Sequence, residues 1–96
     1  MSMKQAYVEK VQARLNNWDA EIEKLKARAE EAEADAKIAY HEQIEALREE
    51  QREAQAKLDE LKAASDDAWE DMKAGVQNAW DSLEQAAKKA SSRFAA

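Results

Sequence analysis

His41 is the only imidazole in the chain, and an imidazole is the side chain best suited to proton transfer or metal ligation near neutral pH. A metal site here needs further ligands at helical spacing, and Glu42 and Glu45 are the only near candidates. With no cysteine and no second histidine, the set falls short of the donors that a zinc centre takes. An exposed or interface histidine is the simpler reading. The 21 acidic residues raise a second chemistry, a paired carboxylate acid and base or a calcium loop. Catalysis asks for a concave pocket that perturbs such groups, and a thin coiled coil has nowhere to build one. The Asp/Gly spacing of an EF-hand, a phosphate loop and a nucleophile elbow are all missing. The carboxylates therefore read as a solvated face. The expectation is a protein that is not an enzyme, with no cofactor and no bound metal.

A third chemistry is burial itself. Laid in rows of eleven, the stretch from Ser65 to Phe94 aligns with itself: Ser65 over Val76 and Ala87, Ala68 over Ala79 and Ala90, Trp69 over Trp80, and Met72 over Leu83 and Phe94. Eleven residues make three helical turns, so these columns form one nearly straight apolar stripe on a helix. Trp69, Met72, Val76, Trp80, Leu83 and Phe94 carry most of its area. Such a stripe lies against another helix, a second chain or a lipid surface. Large aromatics suit an interhelical core. They also suit a helix that lies on a lipid or granule surface, although residues 65–96 hold six acidic and four basic side chains, a poor match to anionic lipid.

The elements that present these residues are legible in composition. No proline, one glycine (Gly75) and 38% charged residues, rich in Ala, Glu, Lys, Leu and Arg, belong to long helices and coiled coils. The net charge of −6 is spread along the chain with no basic face, which argues against nucleic acid as a partner. The longest non-trivial apolar run is Ile38-Ala39-Tyr40, so neither a transmembrane helix nor a cleavable signal peptide is expected, and a cytoplasmic location is the default.

From Val8 the apolar residues keep a heptad: Val8, Val11, Leu15, Trp18, Ile22 and Leu25, then Ala29, Ala32, Ala36 and Ala39. After Ala39 the phase slips by one residue, and the seam resumes at Tyr40, Ile44, Leu47, Gln51, Ala54, Leu58 and Leu61. Gln51 is a lone polar residue on that seam, the kind that fixes register. Charged pairs at helical spacing, such as Glu21 with Lys24, Glu33 with Lys37 and Glu53 with Lys57, mark the opposite face as wet.

Residues 1–64 thus read as one long heptad helix, and 65–96 as an eleven-residue-repeat amphipathic helix. The one plausible break lies between them. Ser65 is a good N-cap, Asp66, Asp67, Glu70 and Asp71 follow it, and Lys88, Lys89 and Arg93 gather at the far end, matching the helix dipole. Two topologies fit: a hairpin that turns near 62–67, or a continuous rod of roughly 140 Å. In the hairpin, residues 66–94 fold back over 32–62, and Val8 to Leu25 are left without a partner in the same chain. Either topology predicts self-association through Val8, Val11, Leu15, Trp18, Ile22, Leu25, Ile44, Leu47, Leu58 and Leu61.

The run from Asn16 to Ala86 resembles the small bacterial coiled-coil-domain proteins of a stress-response family, most distinctively in LKAASDDAWEDMKAGVQNAWD (61–81). That resemblance implies a helical, non-enzymatic protein linked to stress, and it carries over no catalytic residue. The eleven-residue rows also resemble, generically, apolipoprotein-type helices and the phasins that coat storage granules. The expectation is an all-α chain, a long amphipathic coiled coil folded as a hairpin or bundle by self-association. It acts as a homo-oligomer or with a protein partner, the alternative being a peripheral lipid- or granule-surface protein.

Overall fold

The computed structural model describes residues 2–95, without the side chains of residues 91 and 93–95. The chain forms three helices: α1 (Met3–Glu30), α2 (Ala34–Ala63) and α3 (Trp69–Ala95). They pack up-down-up into a bundle of 51 × 19 × 17 Å. A long axis of 51 Å excludes the continuous rod, and the hairpin topology is the one adopted.

Some helix ends have a local cause and one does not. Ser2 caps α1, its hydroxyl accepting from the Gln5 N–H at 3.1 Å. At the far end Glu31 is still right-handed helical, and its N–H donates to the Arg28 and Ala29 carbonyls. The chain reverses through Ala32 and Glu33, the latter extended at φ −66° and ψ 158°. No side chain caps the start of α2. At its end Ala64 is extended, and the Lys4 ammonium reaches across from α1 to donate to the Ala64 carbonyl at 2.6 Å. Ser65 then holds the next turn: its hydroxyl accepts from the Ala68 N–H at 3.2 Å, and its carbonyl from the Trp69 N–H. Glu70 and Asp71 sit in the first turn of α3, where the helix dipole favours them. The break expected at Ser65 is therefore present.

The turn at 31–33 corrects the expectation of one helix through 1–64. Glu31, Ala32 and Glu33 have no local objection to continuing the helix; their propensities lie within a few tenths of a kcal/mol of one another. Packing supplies the reason for the turn. Folding α1 back buries Val11, Leu15, Ile22 and Ala29, and each large aliphatic side chain so buried contributes about 1.5–3 kcal/mol. That gain exceeds the few backbone hydrogen bonds lost at the turn, each worth about 0.5–1.5 kcal/mol net.

The core is continuous and dry. From α2 it takes Ile44, Leu47, Ala54, Leu58 and Leu61, and from α3 Trp69, Val76, Ala79, Trp80, Leu83, Ala87 and Ala90. Tyr7, Val8, Trp18, Leu25, Tyr40 and Met72 pack against its edge. Among the described residues no polar or charged side chain is buried, and no helix is long and apolar enough to cross a membrane.

Candidate interaction site

The residues expected to form the seam are together, but within a single chain. Val11, Leu15, Ile22, Ile44, Leu47, Leu58 and Leu61 are buried, and Val8, Trp18 and Leu25 are half-buried against them. This is the second correction: Val8 to Leu25 find their cover on α2 and α3, so the fold does not by itself demand a second chain. On α3, Trp69, Val76, Trp80 and Leu83 are buried and Met72 is half-buried. Phe94 belongs to α3, and its side chain lies outside the described residues.

The two contacts that α1 makes differ in chemistry. Between α1 and α2 runs a ladder of polar ties. Gln12 and Gln55 exchange two amide hydrogen bonds, Gln12 Nε2 donating at 3.0 Å and Gln55 Nε2 at 2.9 Å. Gln51 Nε2 donates to the Leu15 carbonyl at 3.3 Å and to the Asp19 carboxylate. Arg48 pairs with Glu23 at 2.8 Å. Nearer the turn, Glu30 forms an ion pair with Lys37 at 3.6 Å and meets His41 Nε2 at 3.1 Å. Gln51, the lone polar residue on the seam, thus crosses to the α1 backbone. Lys37 pairs with Glu30 on the neighbouring helix, not with Glu33 on its own, while the Glu21–Lys24 pair forms at 3.4 Å.

The α1–α3 contact is aromatic. These two helices approach each other less closely than either approaches α2, and rings span the gap. Tyr7 and Trp69 stand 5.9 Å apart, and Trp18 meets Trp80 edge-on at 6.5 Å and 62°. The Lys73 ammonium lies over both rings of the first pair, 5.4 Å from Tyr7 and 5.0 Å from Trp69. Arg14 lies 5.7 Å above Trp80, whose Nε1 donates to Glu84 at 2.5 Å. A cation within about 6 Å of a ring face is attracted by its quadrupole. Burial pushes the Tyr7 hydroxyl above its ordinary value, the Arg14 charge opposing in part.

The sequence reading missed Tyr7, Arg14 and Lys73. Signals for two of them existed: Lys73 is four residues after Trp69, a ring it covers, and Arg14 is four before Trp18, the ring that meets Trp80, so each shares a helix face with a ring of the bridge. Nothing in the sequence singles out Gln12 or Gln55, which acquire their meaning only from the register of the turn.

His41 meets Glu30 rather than Glu42 or Glu45. Among the described residues, no group of three or more metal-ligating side chains comes together. The concavity beside His41, lined by Ile38, Glu45, Glu49 and Arg52, is formed by α2 alone and is an open groove along one helix. What the arrangement does chemically is seal apolar surface and display charge. Compared with protein-family models, with curated proteins and with solved structures, this chain matches none of them.

Proposed function

We propose that this chain is a non-enzymatic helical module that works by contact, offering its helix faces to copies of itself or to another protein. A stress-related role in a bacterium is the context that its resemblance implies, and a cytoplasmic location is the default expectation. One observation carries the reading: among the described residues the apolar stripes of all three helices meet in one core with no buried polar side chain, and the outward faces are charged and helical. Groups that do proton chemistry are usually perturbed by burial in a cleft. Here the carboxylates stand on the outside of the helices, which supports a surface that binds over one that reacts.

The lipid-surface alternative makes a different demand. Trp69 and Trp80 are only 6% and 8% exposed, so α3 would have to leave the bundle to lay its stripe on a membrane or granule. Sedimentation with phosphatidylcholine vesicles, read together with tryptophan emission, separates the two. The contact module stays in the supernatant with its emission unchanged. Co-sedimentation with a blue-shifted emission would replace the proposal with the lipid reading.

A further inference from the structure

We propose that the 31–33 turn is a hinge, and that the chain's partner is a second copy which exchanges α1 with it. In the exchanged form α1 and α2 run on as one helix, and each α1 packs on the α2–α3 hairpin of the other copy. This deepens the contact-module reading by naming the partner and the route.

Four observations converge on the hinge. Glu31, Ala32 and Glu33 are good helix formers, with no glycine, proline or asparagine among them. No residue of the turn takes a positive φ, and Glu31 is already helical. The start of α2 has no side-chain cap, so straightening the turn forfeits none. The heptad from Val8 to Ala39 passes through the turn in phase, so the straightened helix keeps one apolar stripe. The other connection differs in being held: Ser65 caps it and Lys4 ties its first carbonyl.

Register fits the same arrangement. In the closed chain Gln12 faces Gln55, Gln51 reaches Leu15 and Lys4 reaches Ala64. The same antiparallel register, carried through the hinge of two straightened copies, sets Ala29 opposite Ala39 and Ala32 opposite Ala36. Four alanines from each copy at the two-fold axis let two long helices cross closely. Every α1–α2 and α1–α3 contact described above is then remade between chains, as domain exchange requires. The closed form prevails in dilute solution because its α1 is tethered at high effective concentration, and exchange grows with protein concentration.

The test uses the absence of native cysteine. Gln12→Cys with Gln55→Cys places two thiols at a contact that is within one chain when closed and between chains when exchanged. Protein is concentrated, its mass measured by sedimentation, and the thiols are joined with a short bis-maleimide before denaturing electrophoresis. Glu33→Pro is the companion variant: the observed φ of −66° accommodates proline, whereas a straight helix does not. The expected result is a dimer cross-linked between chains, weakened at least about a hundredfold by Glu33→Pro. Small-angle scattering should show a straight helix over residues 3–63, roughly 90 Å long, against the closed bundle's 51 Å. A dimer cross-linked only within each chain, no longer than two closed bundles, overturns the exchange but leaves the contact module standing. A monomer up to concentrations on the order of millimolar overturns exchange and self-contact together, and leaves a different protein as the partner.

Discussion

The two connections of this bundle reverse the chain equally well, yet they rest on different physics. The 64–68 turn is written locally: a serine hydroxyl takes an orphan N–H and acids follow at the positive end of α3, and a lysine from α1 adds one tertiary tie to the carbonyl at the end of α2. The 31–33 turn has a backbone that any residue adopts and no cap, and it exists because α1 has a groove to fall into. A turn of the first kind persists when tertiary contacts are weakened. A turn of the second kind is only as stable as the packing behind it.

Breaking that packing gives the largest effect. Leu15→Ala or Ile22→Ala removes a side chain with almost no exposed surface, and should lower the unfolding free energy by about 2–5 kcal/mol in chemical denaturation. Unchanged midpoints would mean that α1 does not sit in the groove. Next comes the pair that contrasts the turns directly. Ser65→Ala should cost about 1 kcal/mol through the lost cap, while Glu33→Ala should stay within about 0.5 kcal/mol of the parent. Equal costs would erase the distinction between the two connections.

Gly75 sharpens the comparison from another side, since the chain's one glycine is at neither turn. It lies inside α3, and a β-carbon built there meets nothing within 4 Å. Gly75→Ala should raise stability by about 0.5–1 kcal/mol, read as a higher thermal midpoint, without altering either connection. Another small effect belongs to the polar ladder between α1 and α2. Arg48→Ala breaks an exposed pair with Glu23 and should cost no more than about 1 kcal/mol, less in high salt. Tyr7 adds a pH dependence of definite sign. Because its folded-state value is raised, the stability it contributes is complete below the ordinary value of 10.0 and is lost as the pH climbs through the folded value. Tyr7→Phe should remove that alkaline component from a series of melts.

How much of this was legible follows from the same contrast. Helical class, both apolar seams and the Ser65 turn were readable, because heptad spacing, eleven-residue columns and an N-cap with trailing acids are local signals. The first turn was not, since Ala29, Ala32, Ala36 and Ala39 continue the heptad in phase through residues that favour helix. One cue was present and outweighed: Glu30 and Glu31 stand at the negative end of α1's dipole, an unfavourable place for acids, while Glu33 and Asp35 suit the start of α2. Without the first turn the sequence pattern gives α1 no partner in its own chain, and Val8 to Leu25 ask for a second one. The aromatic bridge was half legible, from the spacing of Trp69 with Lys73 and Arg14 with Trp18.

The edge-on pair of Trp18 and Trp80 has a consequence in optics. Two indoles 6.5 Å apart at 62° couple their excited states and give a split band in circular dichroism. The two rings come from α1 and α3, so the splitting reports without any label whether a first helix is docked. It should vanish when α1 swings free and return in full when any copy's α1 fills the site.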